Sequence, residues 1–305
     1  MTEEEQEREK KTKKKKGVFA QFGLNGPLSK AIQKMGYNLP TPIQRKSIPP
    51  ILEGRDVVAM ARTGSGKTAA FLIPVIERLK SHSETVGTRA VVMSPTRELA
   101  MQTAKFARNL CCFSDIRICI LVGGKSIEAQ YERLAANPDL IIATPGRLAH
   151  HQVEAGFSLQ RVEMIVFDEC DRLFELGFQD QLNTIMSGCP PSRQALLFSA
   201  TLPQELVAFS KAGLHDPEFI RLDVEHCLSD QLALWFLYVR KEDKIAALAF
   251  LLRQISGKGK NTVVFLATRH HVEFFRLLLQ TMGFRTSGVE EKNNNNKNHN
   301  YLNKL

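Results

Sequence analysis

The strongest constraint on this chain is a rhythm. From about residue 55, short apolar, β-branched runs alternate with longer amphipathic stretches. The runs are Asp56–Ala61, Arg89–Ser94, Ile116–Val122, Leu140–Ala143, Met164–Phe167, Ala195–Ser199 and Phe219–Leu222. Between them lie helical patterns such as Lys67–Leu79, Glu98–Leu110 and Gln179–Met186. Apolar strands separated by helices predict an α/β fold with a mostly parallel sheet, because each parallel connection has to cross over one face. Ligands of such sheets bind beyond the carboxyl ends of the strands, so the loops that follow each run are the ones to read for chemistry.

Polar residues 223–230 (DVEHCLSD) break the pattern and predict a linker. A second α/β unit then begins, with strands expected over Ala233–Val239 and Thr262–Ala267 and helices over Lys244–Gln254 and His270–Met282. It stops near Gly288. Residues 289–305 are asparagine-rich and residues 1–16 are all charge and polarity, so neither is expected to pack. The organisation predicted is a tail (1–16), a large domain (17–222), a linker (223–230), a partial second domain (231–288) and a second tail.

Composition narrows the class only modestly. The 305 residues are 43% hydrophobic with no apolar run of eighteen, which argues against a membrane span. The first residues lack the apolar core of a secretory signal; the lysine run from Lys10 to Lys16 reads as a solvated segment or as a nuclear-localisation or RNA-contact patch. A net charge of +9 favours polyanionic partners. Six cysteines without a paired spacing are expected to be buried free thiols rather than a metal or disulfide site.

The motifs sit where the rhythm places them. Ala61-Arg-Thr-Gly64-Ser65-Gly66-Lys67-Thr68 follows a strand and opens a helix. Glycines there let the backbone turn N–H groups onto phosphate oxygens, Lys67 brings a point charge, and the Thr68 hydroxyl suits Mg²⁺. Met164-Ile-Val-Phe-Asp168-Glu169-Cys170-Asp171 puts acids at the end of a buried strand. Asp168 suits a magnesium ion through its waters, and Glu169 suits activation of an attacking water; without the first motif the pair reads as a helix cap. Upstream, the Gln44 amide and the Tyr37 ring in GYNLPTPIQ suit the edge and face of adenine, although the stretch alone is an ordinary turn. Pro95-Thr96-Arg97 and Thr144-Pro145-Gly146-Arg147 each open a helix after a strand, and Gly123-Gly124 follows another. These are phosphate-contact loops or simple caps. Ser199-Ala200-Thr201 offers hydroxyls to Asp171, or a cap.

Taken in order, GYNLPTPIQ, ARTGSGKT, PTRELA, GG, TPGR, DECD and SAT resemble the DEAD-box family of ATP-dependent RNA helicases over roughly residues 19–286. Stretches such as DRLFELGF and FSATLPQELVAFSKAGL are most similar to nucleolar members acting in large-subunit ribosome assembly. The resemblance implies a RecA-like P-loop NTPase domain plus an incomplete second RecA-like domain. ATP and Mg²⁺ are the implied cofactors. Implied partners are RNA, bound through its backbone, and pre-ribosomal particles, and the implied location is the nucleus, within it the nucleolus. It assigns adenine to Tyr37, Thr41 and Gln44, and phosphates and magnesium to Gly64, Ser65, Gly66, Lys67, Thr68 and Asp168. Catalysis falls to Glu169 with Lys67 and Asp168, and coupling to Asp171, Ser199 and Thr201. RNA contacts fall to Pro95, Thr96, Arg97, Gly124, Thr144, Gly146 and Arg147. Phe19 matches the family's upstream aromatic, and Phe265 and Thr268 match the start of a second-lobe motif.

Two departures stand out. Cys170 replaces an alanine, a small-for-small change. After Gly288 nothing matches the later motifs, including the arginine finger, typically worth about 10³–10⁵ in rate. Three readings follow: an RNA-dependent ATPase, an ATP- and RNA-binding module with little turnover, and a P-loop ATPase of another class. GYNLPTPIQ and PTRELA argue against the last.

Overall fold

The computed structural model describes residues 18–124, 126–201, 203–222, 233, 235–256 and 262–287. Both predicted tails and the whole of the predicted linker lie outside these. The chain divides into two compact units, Met1–Cys227 and Leu228–Leu305.

The first unit opens with a 3₁₀ turn (Val18–Phe22) and helices α1 (Gly26–Lys34) and α2 (Pro42–Leu52). Then the alternation sets in: β1 (Val57–Met60), α3 (Lys67–Leu79), β2 (Ala90–Met93), α4 (Arg97–Leu110), β3 (Ile118–Leu121), α5 (Glu128–Ala135), β4 (Leu140–Ala143) and α6 (Pro145–Ala155). It continues through β5 (Met164–Phe167), α7 (Cys170–Glu175), α8 (Gln179–Gly188), β6 (Gln194–Ser199), α9 (Gln204–Gly213) and β7 (Glu218–Arg221). The strands form one sheet in the order β3-β4-β2-β5-β6-β1-β7, and every pairing is parallel. The predicted α/β class and the seven runs are borne out, with ends shifted by one or two residues.

Alternation of side chains across the pleat explains why these strands are apolar throughout. Val57, Ala59, Val92, Ile142, Val166, Leu196 and Phe198 face one core, with α2, α3 and α4. Val58, Val91, Met93, Ile141, Phe167 and Leu197 face the other, with α6, α7, α8 and α9. The first core is anchored by Phe71 on α3 against Phe198 on β6, ring centroids 5.2 Å apart and both fully buried. Truncating either ring to alanine is a loss of about 3–5 kcal/mol.

Register is what builds the rim. Met93 on β2 stands level with Ala143 on β4 and Phe167 on β5, and Ala143 with Leu121 on β3. Met60 stands level with Ser199. The ladder runs on by one residue into the motifs: Ala61 donates to the Ser199 carbonyl, Ser94 to Ala143, Thr144 to Leu121 and Asp168 to Met93, all at 2.9–3.1 Å. Because the strands are parallel, all these departures lie on one edge.

The second unit holds helices α10 (Lys244–Ser256) and α11 (Arg269–Thr281), close to expectation. The Thr268 hydroxyl caps α11 by accepting from His271 N–H at 3.2 Å. The strands expected over Ala233–Val239 and Thr262–Ala267 do not form at the described residues 233, 235–240 and 262–266. A strand exists only when a neighbouring backbone takes its N–H and C=O groups. No described residue of this unit supplies one, and Trp235, Phe236, Tyr238 and Phe265 are exposed. The thiol expectation is also corrected at one position: Cys111, Cys119, Cys170 and Cys189 are buried and free, but Cys112 is exposed, and Cys227 lies outside the described residues.

Candidate functional site

The carboxyl edge of the sheet gathers the motif residues. β1 and β5 are separated only by β6, so the loops after them start about 10 Å apart at ordinary strand spacing. A lysine can span much of that gap. Lys67 is buried; burial lowers its pKa, while the carboxylates of Asp168, Asp171 and Glu169 act in the opposite sense. The ammonium and the acid cluster are therefore close enough to feel each other's charge. Its donors are taken by the loop's own backbone, the carbonyls of Ala61 and Arg62.

The loop's shape is set by two left-handed glycines, Gly64 at φ +75° and Gly66 at φ +94°. Gly66 is pressed from one side. A Cβ there would lie 2.6 Å from Gln44 Nε2 and 3.0 Å from Thr41 Oγ1. Gln44, on the first turn of α2, donates from Nε2 to the Gly66 carbonyl at 3.1 Å and accepts from the Thr41 N–H at 2.9 Å. The sequence predicts an adenine contact for Gln44; what the structure shows is its bond to the Gly66 carbonyl of the glycine loop. Tyr37 is half-buried and packs edge-on against Phe106, centroids 6.0 Å apart. Phe19 lies in the core.

Asp168 is 4% exposed, and burial beside Glu169 and Asp171 pushes its carboxyl up to about 7, against the pull of Lys67. Glu169 sits at φ +49°, a left-handed bend unusual for a side chain of this size, at the cap of α7. Its carboxylate accepts from Arg172 at 3.3 Å. Arg172 escaped the motif reading, although its position three residues on, one helical turn away, was a usable signal.

Asp171 is buried, and its Oδ2 accepts from Thr201 Oγ1 and Thr201 N–H, both at 3.0 Å, and from Ala200 N–H at 3.3 Å. The Asp171 N–H donates to Ser199 Oγ at 3.3 Å. The end of β6 is thus tied directly to the acid cluster after β5.

The other loops line the same edge. Thr96 Oγ1 caps α4 by accepting from Leu99 N–H at 3.2 Å, so capping accounts for that hydroxyl. Arg97 is exposed and lies over Gly124, where an added Cβ would meet its guanidinium at 2.7 Å. These two residues come from separate motifs and touch. Gly146 is exposed with open space around it, Arg147 is half-buried one residue on, and Thr144 precedes α6. Pro95 is buried. Phe265 and Thr268 belong to the second unit.

The residues fit a nucleotide and a hard cation. Thr41 Oγ1 and Ser65 Oγ are buried without a hydrogen-bond partner, on either side of the Gly66 turn. Unsatisfied hydroxyls at a phosphate-type loop are groups that a polar ligand would satisfy. No cluster of three or more His, Cys, Asp or Glu among the described residues could enclose a metal by itself. An ion held here would need oxygens from phosphates and water, as magnesium does.

Residues 41–209 match the family model for DEAD/DEAH box helicases, more than half of the chain. The chain belongs to the DEAD-box helicase family. Mouse ATP-dependent RNA helicase DDX54 is 54% identical over 90% of this chain and 31% of its own length. Yarrowia lipolytica ATP-dependent RNA helicase DBP10 is 45% identical over 91% of this chain and 35% of its own. This DEAD-box chain thus spans about a third of the length of these curated relatives. Among solved structures, a DEAD box protein from the hyperthermophile Methanococcus jannaschii superposes with a TM-score of 0.63 at 31% identity, covering 87% of this chain and 70% of that one. No described helix is long and apolar enough to cross a membrane.

Proposed function

We propose that this chain binds ATP with Mg²⁺ and single-stranded RNA on one sheet edge and belongs to an RNA-dependent ATPase that remodels RNA in ribosome assembly, in the nucleolus. Residues 17–222 would form the RecA-like ATP-binding domain and 231–288 part of a second. The observation carrying the proposal is that Lys67 lies within the electrostatic reach of Asp168, Asp171 and Glu169 on the same sheet edge, while Asp171 is bonded to Ser199 and Thr201. The ribosomal and nucleolar assignment rests on the resemblance of DRLFELGF and FSATLPQELVAFSKAGL to nucleolar members.

In this reading Tyr37, Thr41 and Gln44 hold the base end of the nucleotide. Gly64, Ser65 and Gly66 present backbone and hydroxyl groups to the phosphates, with Lys67 turning from the loop carbonyls to a phosphate oxygen. Thr68 and Asp168 are the residues that would hold magnesium, Asp168 through water. The ion supplies charge neutralisation at the phosphoryl oxygens. Glu169 accepts a proton from the attacking water. Asp171, Ser199 and Thr201 carry the state of that site to the rim, where Pro95, Thr96, Arg97, Gly124, Thr144, Gly146 and Arg147 contact RNA phosphates.

Steady-state ATP hydrolysis by the 305-residue chain, with and without RNA, tests this. Stimulated turnover that vanishes in Glu169→Gln supports it. Nucleotide affinity surviving in Lys67→Ala contradicts it. A second reading, an ATP- and RNA-binding module with little turnover, is favoured by the lack of any strand among the described residues of the second unit. Binding of both ligands without hydrolysis would select that reading.

A further inference from the structure

Two buried polar side chains away from the nucleotide loop have no place in the chemistry above. His151 on α6 is fully buried, and Gln130 on α5 is 1% exposed. His151 Nε2 and Gln130 Oε1 are 3.0 Å apart. Gln130 Nε2 donates to the Val122 carbonyl at 3.0 Å. That second bond fixes the first. With the amide nitrogen committed to a carbonyl, the oxygen faces the imidazole, so Nε2 of His151 carries the hydrogen and donates. Nδ1 is then the bare nitrogen, buried with no partner. Burial, Arg147 and His150 all lower the His151 pKa, which keeps the ring neutral and in that role. The Tyr131 ring meets it edge-on, centroids 5.2 Å apart.

The two ends of this relay are informative. Val122 immediately precedes Gly123-Gly124, the loop after β3. His151 lies one helical turn beyond Arg147, on the helix opened by Thr144-Pro145-Gly146. The peptide before Val122 is held as well, since the Leu121 carbonyl accepts from Thr144 N–H at 3.0 Å. Two successive carbonyls at the end of β3 are therefore bonded to the loop, or through Gln130 to the helix, that follows β4. Gly123 and Gly124 bring no side chains to fix their own path, and Gly124 is at φ +74°.

We infer that Gln130 and His151 are positioning residues that lock the Gly123-Gly124 loop to the Thr144–Arg147 helix start, so that both present RNA-contact groups in fixed register. This rests on the RNA reading of those loops. Neither side chain touches RNA; they act through the backbone they hold.

The test uses the 305-residue chain and a fluorescein-labelled single-stranded RNA, with binding read by anisotropy and amide exchange read at Gly123 and Gly124. His151→Leu and Gln130→Met each remove the buried bond. Each should weaken RNA binding roughly five- to tenfold, the usual worth of one such bond. Both should speed exchange at the two glycines and leave affinity for a fluorescent ATP analogue unchanged. His151→Gln places an amide N–H near the position of Nε2 and should restore RNA affinity and slow exchange. The double variant should be no weaker than either single one, because both break the same relay. The inference is overturned if His151→Gln behaves like His151→Leu, or if RNA affinity holds while the wild-type chain binds RNA. A wild-type chain that binds no RNA overturns the RNA reading, and this inference with it.

Discussion

Replacing Gly66 by alanine probes the phosphate loop and the Gln44 contact together. Two costs arise. At φ +94° the new Cβ meets its own carbonyl, and a left-handed non-glycine residue costs about 1–2 kcal/mol. The Cβ would also lie 2.6 Å from Gln44 Nε2. Gln44 cannot stay, and its 3.1 Å bond to the Gly66 carbonyl is lost; a buried polar group left unpaired costs roughly 1–3 kcal/mol. Gly64→Ala is the internal control. Gly64 is also left-handed, at φ +75°, but has nothing within 4 Å of an added Cβ, so it carries only the first cost. Urea unfolding followed by far-ultraviolet circular dichroism should therefore rank Gly66→Ala below Gly64→Ala by about 1–3 kcal/mol. Affinity for a fluorescent ATP analogue should fall further in Gly66→Ala. In a Gln44→Ala background the gap should narrow, since only Thr41, at 3.0 and 3.2 Å, still opposes the Cβ. Equal costs for the two glycines, or a gap indifferent to Gln44, would refute the reasoning.

Other expectations follow from single contacts. Asp171→Ala removes the acceptor of Thr201 and Ala200 and should cost about 1.5–3 kcal/mol in urea, as bonds to a charged group do. Burial raises the Asp139 pKa, but the Arg117 N–H, Arg89, His82 and the Ser83 N–H outweigh it, and the net shift is downward. A depressed carboxylate stabilises the fold above its unfolded pKa of about 3.9 and loses that contribution as pH falls through its lower folded value. Acid unfolding should accordingly be shallower at its lower end in Asp139→Asn than in the wild type. RNA affinity should fall steeply and linearly on a log–log salt plot, with little dependence on base sequence. A flat salt response would mean that the rim loops only cap helices.

Much of the first unit was legible because a parallel strand buried on both faces leaves a continuous apolar run. Lys67, Asp168 and Asp171 were legible because loop chemistry depends on residue type at a fixed offset from a strand. The second unit was not legible in the same way. Ala233–Val239 has the composition of a strand, but pairing depends on a neighbour that local pattern cannot reveal. Gln130 and His151 were invisible for a related reason. They are 21 residues apart, and nothing about a lone glutamine on one helix and a histidine on another signals a shared bond. Gln44 was half legible: its residue type pointed to an amide contact, whereas its second contact, to Gly66, depends on how α2 packs beside α3.

Glu169 occupies a bend whose torsion suits glycine better than any residue with a Cβ. Relaxing that bend by substitution with glycine would make the molecule sturdier and remove the carboxylate at the N-cap position of α7. With Glu169 in its proposed role as the base, selection for durability and selection for turnover pull in opposite directions at a single position. A library sorted only for resistance to heat should drift away from glutamate there, and one sorted for hydrolysis should keep it at the cost of a less comfortable backbone.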